Sequence, residues 1–316
     1  MVRFKRNLIA IAVSAWAALA AAQAPTQATS PFMRMLKPSA SREELQTKAR
    51  RYTPANGDGP IVWLIGVAHV GRADYYKDLQ KLLDYQSSVL YEGVSRNGVD
   101  PAAQTAADPK DDPRQRSTYQ ALSDALGLEF QLYGIDYKRP TFHNSDLSWE
   151  EMQALEAKNP TPKNSMSLAN IGAMLDANSP QGKMLAASLA QMKGDPGSIE
   201  AMHLIMIEAL SNPEVIAENL SPSLNDLLIK TRNAKVLGDL KTEIAKQPAP
   251  RSIAIFFGAG HMADMEHLTE DLGYVGGEER WYTAIDGDTK KLSPNGQMML
   301  DTMRAFLTKK KASPGK

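Results

Sequence analysis

Ile61-Val62-Trp63-Leu64-Ile65-Gly66-Val67-Ala68-His69 decides the architecture, and Ile253-Ala254-Ile255-Phe256-Phe257-Gly258-Ala259-Gly260-His261 repeats its form 192 residues later. Each is five consecutive apolar residues followed by Gly-x-x-His. An uninterrupted apolar run of that length predicts a strand buried on both faces, as in a parallel sheet covered by helices. After the first run, Ala73 to Gln86 places Tyr76, Leu79, Leu82 and Leu83 on one helical face, and Val89-Leu90-Tyr91 reads as the next strand. A Pro- and Asp-rich loop, Pro101 to Pro113, leads to a helix near Gln115 to Leu126, and a third strand is expected over Phe130 to Tyr133. The alternation predicts an α/β fold: a mostly parallel central sheet flanked by helices.

Between the two halves, residues 149–247 change texture. Helical stretches broken by Pro and Gly carry Met152, Met166, Met174, Met184, Met192, Met202 and Met206 and no strand pattern. Methionines so spaced in an all-helical insert read first as adaptable core packing and second as a lid over a groove. The expected organisation is a signal peptide over 1–22, an N-terminal arm over 23–59 with at most one helix, a first α/β half over 60–148, the helical insert over 149–247, and a second α/β half with a C-terminal helix over 248–316. That last helix opens at Ser293-Pro294, a favourable pair for a helix start.

The start of the chain has the order of a secretory signal: basic Arg3, Lys5 and Arg6, an apolar Leu8 to Leu19, then small residues with cleavage expected after Ala22. An exported, periplasmic or secreted protein follows, with no stable membrane anchor after signal removal. The 316 residues hold 36 Lys+Arg against 36 Asp+Glu; cleavage removes three bases and no acid, leaving 33 against 36. A slightly acidic chain lacks the cationic excess that binds nucleic acid. The absence of cysteine excludes disulfide scaffolds, thiol proteases and thiolate metal centres. No Gly-x-Ser-x-Gly elbow and no His-Glu-x-x-His helix is present, which argues against a serine triad and a classical zincin.

The chemistry-bearing residues collect at expected strand ends. In an open parallel sheet ligands bind outside the carboxyl ends of the strands, where His69 and His261 both fall. Two of only five histidines in one context point to metal ligands, or to a ligand and a general base. Glu92 follows its strand directly and precedes Gly93, placing a carboxylate at the same edge. Arg232 and Asn233 lie in a helix expected over Leu224 to Ile244. Either could serve a developing oxyanion, although an Arg at such a place is more often on the surface. His143, in the loop after the third strand, is a third ligand, a substrate contact or an ordinary loop residue, and Asp146 is expected to cap the next helix. His203 and His267 read as structural.

Taken together, Gly66-Val67-Ala68-His69 with Val70, Glu92, Arg232-Asn233, and Gly258-Ala259-Gly260-His261 followed by Leu272-Gly273-Tyr274 resemble the TraB/PrgY/GumN family. That family includes the TIKI metalloproteases and lies near the erythromycin-esterase and ChaN-like proteins. The likeness spans roughly residues 60 to 283. It implies a two-histidine, metal-dependent hydrolytic site acting on a peptide or small-molecule substrate, with His69, His261 and Glu92 as ligands or water-activating base. It also raises Arg232 and Asn233 above a surface role. Without thiolates, Mn, Co and Zn remain equivalent candidates for the divalent metal. A haem- or small-ligand-binding protein of the ChaN-like type, and a catalytically silent scaffold, are the alternatives to a peptidase or esterase.

Overall fold

The computed structural model describes residues 32–100, 118–162, 165–176, 178–192, 194–212 and 221–311. The expected signal segment and the loop from Pro101 to Pro113 lie outside them. The two apolar runs form β3 (Ile61–Val67) and β8 (Ser252–Gly258), paired in parallel with Val67 opposite Gly258. Beyond β8 come β5 (Ser88–Tyr91) and β7 (Phe142–Asn144), both parallel to it in direction. This four-strand parallel block joins an antiparallel wing of β1 (Met33–Leu36), β2 (Arg42–Pro54) and β9 (Tyr274–Asp288), and helices flank the sheet.

Both faces of the parallel block are buried, as the unbroken apolar runs predict. Alternate side chains divide between two cores. Trp63, Ile65, Val67, Tyr91, Ala254 and Phe256 face one; Val62, Leu64, Leu90, Ile253, Ile255 and Phe257 face the other. Each fully buried aliphatic or aromatic side chain contributes roughly 1.5–3 kcal/mol from water exclusion, so the strand ends rest on a stiff base. The first core is covered by α1 (Ala73–Asp84), α2 (Thr118–Leu126) and the helical region, in which Met152, Met202 and Met206 are buried and Met166, Met174 and Met192 pack against the core. The second is covered by α9 (Arg232–Ile244) and α10 (Met262–Asp271).

Two regions differ from the sequence reading. The N-terminal arm contains no helix among its described residues; its charged stretch is β2. Its charges are spent across the sheet, Arg42 on Asp286 and Lys48 on Glu279, each at 3.1 Å, which hides a strand inside a helix-forming composition. The strand expected at Phe130 to Tyr133 is only β6 (Glu129–Phe130), bridged to β4 (Val70–Gly71) in a separate pair, and α3 (Gln131–Gly134) follows at once. The strand that continues the main sheet is β7, so His143 lies within it rather than in a loop.

Candidate active site

Strand order β3-β8-β5-β7 brings four chain exits side by side. The last parallel strand in sequence, β8, lies between β3 and β5, so residues following β3, β8, β5 and β7 converge although 192 positions separate His69 from His261. Gly66 permits the close approach of the two motifs. A Cβ there would stand 3.1 Å from the Cβ of Ala259 and 3.3 Å from the Lys48 carbonyl. Gly258 leaves room for the site itself, since a Cβ would come within 3.2 Å of Glu92 Oε2 and 3.4 Å of His69 Nε2.

Glu92 is 9% exposed, Arg232 2% and His261 0%. Arg232 follows a π-helical turn, Asp226–Thr231, at the head of α9, a backbone form that often occurs at functional sites. Its Nε donates to Asp146 Oδ1 at 2.8 Å, and its Nη2 to Asp146 Oδ2 at 2.7 Å and Glu92 Oε1 at 2.5 Å. Its Nη1 donates to the Leu228 carbonyl and to His261 Nε2, both at 3.2 Å. These five bonds use all five N–H groups of a guanidinium. The other Glu92 oxygen accepts the Gly258 N–H at 2.6 Å. Burial alone would raise the Glu92 pKa; the Arg232 guanidinium beside it, with the Gly258 N–H, outweighs that and holds the carboxyl well below the usual range.

The two imidazoles have definite tautomers. Asn233 Nδ2 donates to the His261 carbonyl at 3.1 Å and to Asp264 Oδ2 at 2.8 Å, so Asn233 Oδ1 accepts from His261 Nδ1–H at 2.7 Å. His261 Nε2 is therefore the acceptor facing Arg232. Burial, then the guanidinium beside it, push the His261 pKa down to about 3, so the ring is neutral. On the other side, Gln131 Nε2 donates to the Tyr137 hydroxyl at 2.8 Å, which turns Gln131 Oε1 toward His69 Nδ1–H at 2.7 Å. The Gln131 backbone N–H also binds the His69 carbonyl at 2.8 Å. His69 Nε2 is left without a hydrogen-bond partner among the described residues.

Structure and sequence reading part over the roles. Glu92, Arg232, His261, Asn233 and His69 do come together. Arg232 is not a surface residue, and its five N–H groups and both of those on Asn233 are donated within the protein. His143 does not join the group. It is exposed on β7 opposite Leu90, with no hydrogen bond to the cluster. Asp146 does not cap the next helix; Ser148 does, in a reciprocal box with Glu151, and Asp146 clamps Arg232 instead. Asp146, Asp264 and Gln131 were absent from the sequence-derived site set. Asp264 stands three residues after His261, one turn along, and Asp146 follows β7 as Glu92 follows β5. Both signals exist once β7 is known, but three residues are too few for a legible apolar run.

Of the residues that the resemblance implies as ligands of a divalent ion, His69, His261 and Glu92, the last two are already engaged by Arg232. His261 Nε2 and Glu92 Oε1 face each other across 3.7 Å, a span two ligands near 2 Å from one ion can take. Both atoms already receive N–H bonds from Arg232, and His261 Nε2, with its single lone pair, would have to give that bond up to ligate an ion. Among the described residues no group of three or more His, Asp and Glu side chains is arranged to hold a metal.

Comparison with protein-family models, with curated proteins and with solved structures found no match to the chain. Fold and site together define a mixed α/β protein with a buried Glu–Arg–Asp ion cluster and two imidazoles at the carboxyl edge of its parallel strands.

Proposed function

We propose that the chain is an exported hydrolase of acyl bonds, with peptides the first substrate class to try and esters the second, and that His69 is its general base. The observation that carries this is the bare Nε2 of His69, held as an acceptor by the Gln131 contact to Nδ1–H and placed near the Glu92–Arg232 pair. In the proposed reaction His69 Nε2 takes a proton from water as the water oxygen bonds to the acyl carbon. The carbonyl π pair moves to oxygen and returns as the leaving group departs with the proton from His69. Glu92, fixed by Arg232 and Gly258, stabilises the transient imidazolium, while Asn233, His261 and Asp146 hold Arg232 and Glu92 in place. Export rests on the expected signal segment; among the described residues no helix is long and apolar enough to cross a membrane.

The test is a panel of fluorogenic peptides and aryl esters with protein purified without chelator, beside His69→Ala, with elemental analysis of both. Turnover lost about a thousandfold in a folded His69→Ala protein, and unaffected by chelator, is the expected result. One equivalent of Mn, Co or Zn, with activity that follows it, would return the site to the metal-dependent form. No turnover on either class, with a Soret band on haem addition, would replace the hydrolase by the ligand-binding alternative.

A further inference from the structure

Hydrolysis needs a group that meets the negative charge on the carbonyl oxygen, and the residues expected for that task are spent. Arg232 has used all five N–H groups and Asn233 both of its own. The buried tyrosines of the same core have also found partners. Tyr75 meets Thr47, Tyr76 the Ala68 carbonyl, Tyr91 Asp100, and Tyr137 Gln131. Tyr119 differs. It is half-buried on α2, its ring lies edge-on to His69 at 5.5 Å and stacks on Phe130 at 5.3 Å and 7°, and its hydroxyl has no hydrogen-bond partner among the described residues.

We infer that Tyr119 is a catalytic residue of this site, donating its O–H to the substrate carbonyl oxygen and to the oxyanion that replaces it. The inference rests on the hydrolase reading for the reaction, but the binding of a tetrahedral anion tests it separately. The edge-on ring contact makes the proposed base and the proposed donor neighbours. Burial, and then the Glu92 charge, keep the phenol above its ordinary pKa range, so it remains a donor at neutral pH. Phe130, stacked on the ring, fixes its direction without competing for the hydroxyl. The oxyanion accepts a hydrogen bond without taking the proton, and no other bond at Tyr119 is made or broken.

Tyr119→Phe retains the ring and its stack and removes only the hydroxyl. The measurements are thermal unfolding, kinetics on the best substrate, and calorimetric binding of an alkyl arylphosphonate monoester, a stable tetrahedral anion. The expected result is an unchanged Tm, kcat lower by roughly ten- to a hundredfold with little change in KM, and phosphonate binding weakened at least about tenfold. Phosphonate binding that depends on Tyr119 in a protein without turnover would uphold the donor and reject the hydrolase. Equal phosphonate affinity in both proteins, absence of binding to the wild type, or a kcat within about twofold of wild type would overturn the assignment.

Discussion

Arg232 spends every N–H it has on the protein, and this makes it a keystone of the site rather than a participant in the reaction. It pairs with both Glu92 and Asp146, whose side chains are nearly or wholly out of water, and its Nη1 fixes the acceptor side of His261. Removing one partner of such a cluster leaves the others charged and dry. Arg232→Leu is expected to destabilise the protein by about 3–5 kcal/mol in urea unfolding, and a loss below about 1 kcal/mol would show that the carboxylates have other relief. The residue types were legible in sequence: a Glu after a buried strand, two Gly-x-x-His motifs, an Arg-Asn pair. Their roles were not, because a role depends on which hydrogen-bonding atoms remain unspent, and that is known only when every partner has been placed.

At the scale of elements, the site exists because β3 and β8 lie close enough for one motif to pack against the other. Gly258 is the point of contact: any side chain there enters the space between Glu92 Oε2 and His69 Nε2. Gly258→Ala keeps an allowed backbone, at φ −48° and ψ 135°, so the chain is expected to fold. Activity on the best substrate should fall at least about tenfold, because displacement of a reacting group by part of an ångström is costly. An alanine protein with full activity would show that neither His69 nor Glu92 acts from its present position. Strands β3, β5 and β8 were readable because both faces are covered, which removes polar residues from the run. Strand β2 was not, since its charges pair with β9 and resemble a solvated helix in one dimension. Strand β7 was too short to register.

At the scale of the whole molecule, the buried cluster ties stability to pH. His261 has its pKa pushed down to about 3 in the folded chain and regains a value near 6.5 when unfolded. The unfolded state therefore binds a proton that the native state refuses. The stabilisation is complete above about pH 6.5 and is lost as pH falls toward 3, amounting to about 2 kcal/mol between pH 6.5 and 5. Glu92, held below the usual carboxylate range, adds a second loss from about pH 4.3 downward. Urea midpoints should fall between pH 7 and 5, and His261→Gln should flatten that segment of the curve. A wild-type midpoint constant over this interval would show that His261 is charged, or reached by water, in the native protein.

The sequence by itself determined the buried parallel strands, the mixed α/β class and the residues that gather at the strand ends, because apolar periodicity and glycine punctuation are local properties. Only the tertiary structure decided that β8 enters between β3 and β5, that Asp146 clamps Arg232, that Gln131 orients His69, and that the Tyr119 ring stands beside His69. Those facts depend on strand order and on the completed set of hydrogen bonds, both of which arise between residues far apart in the chain.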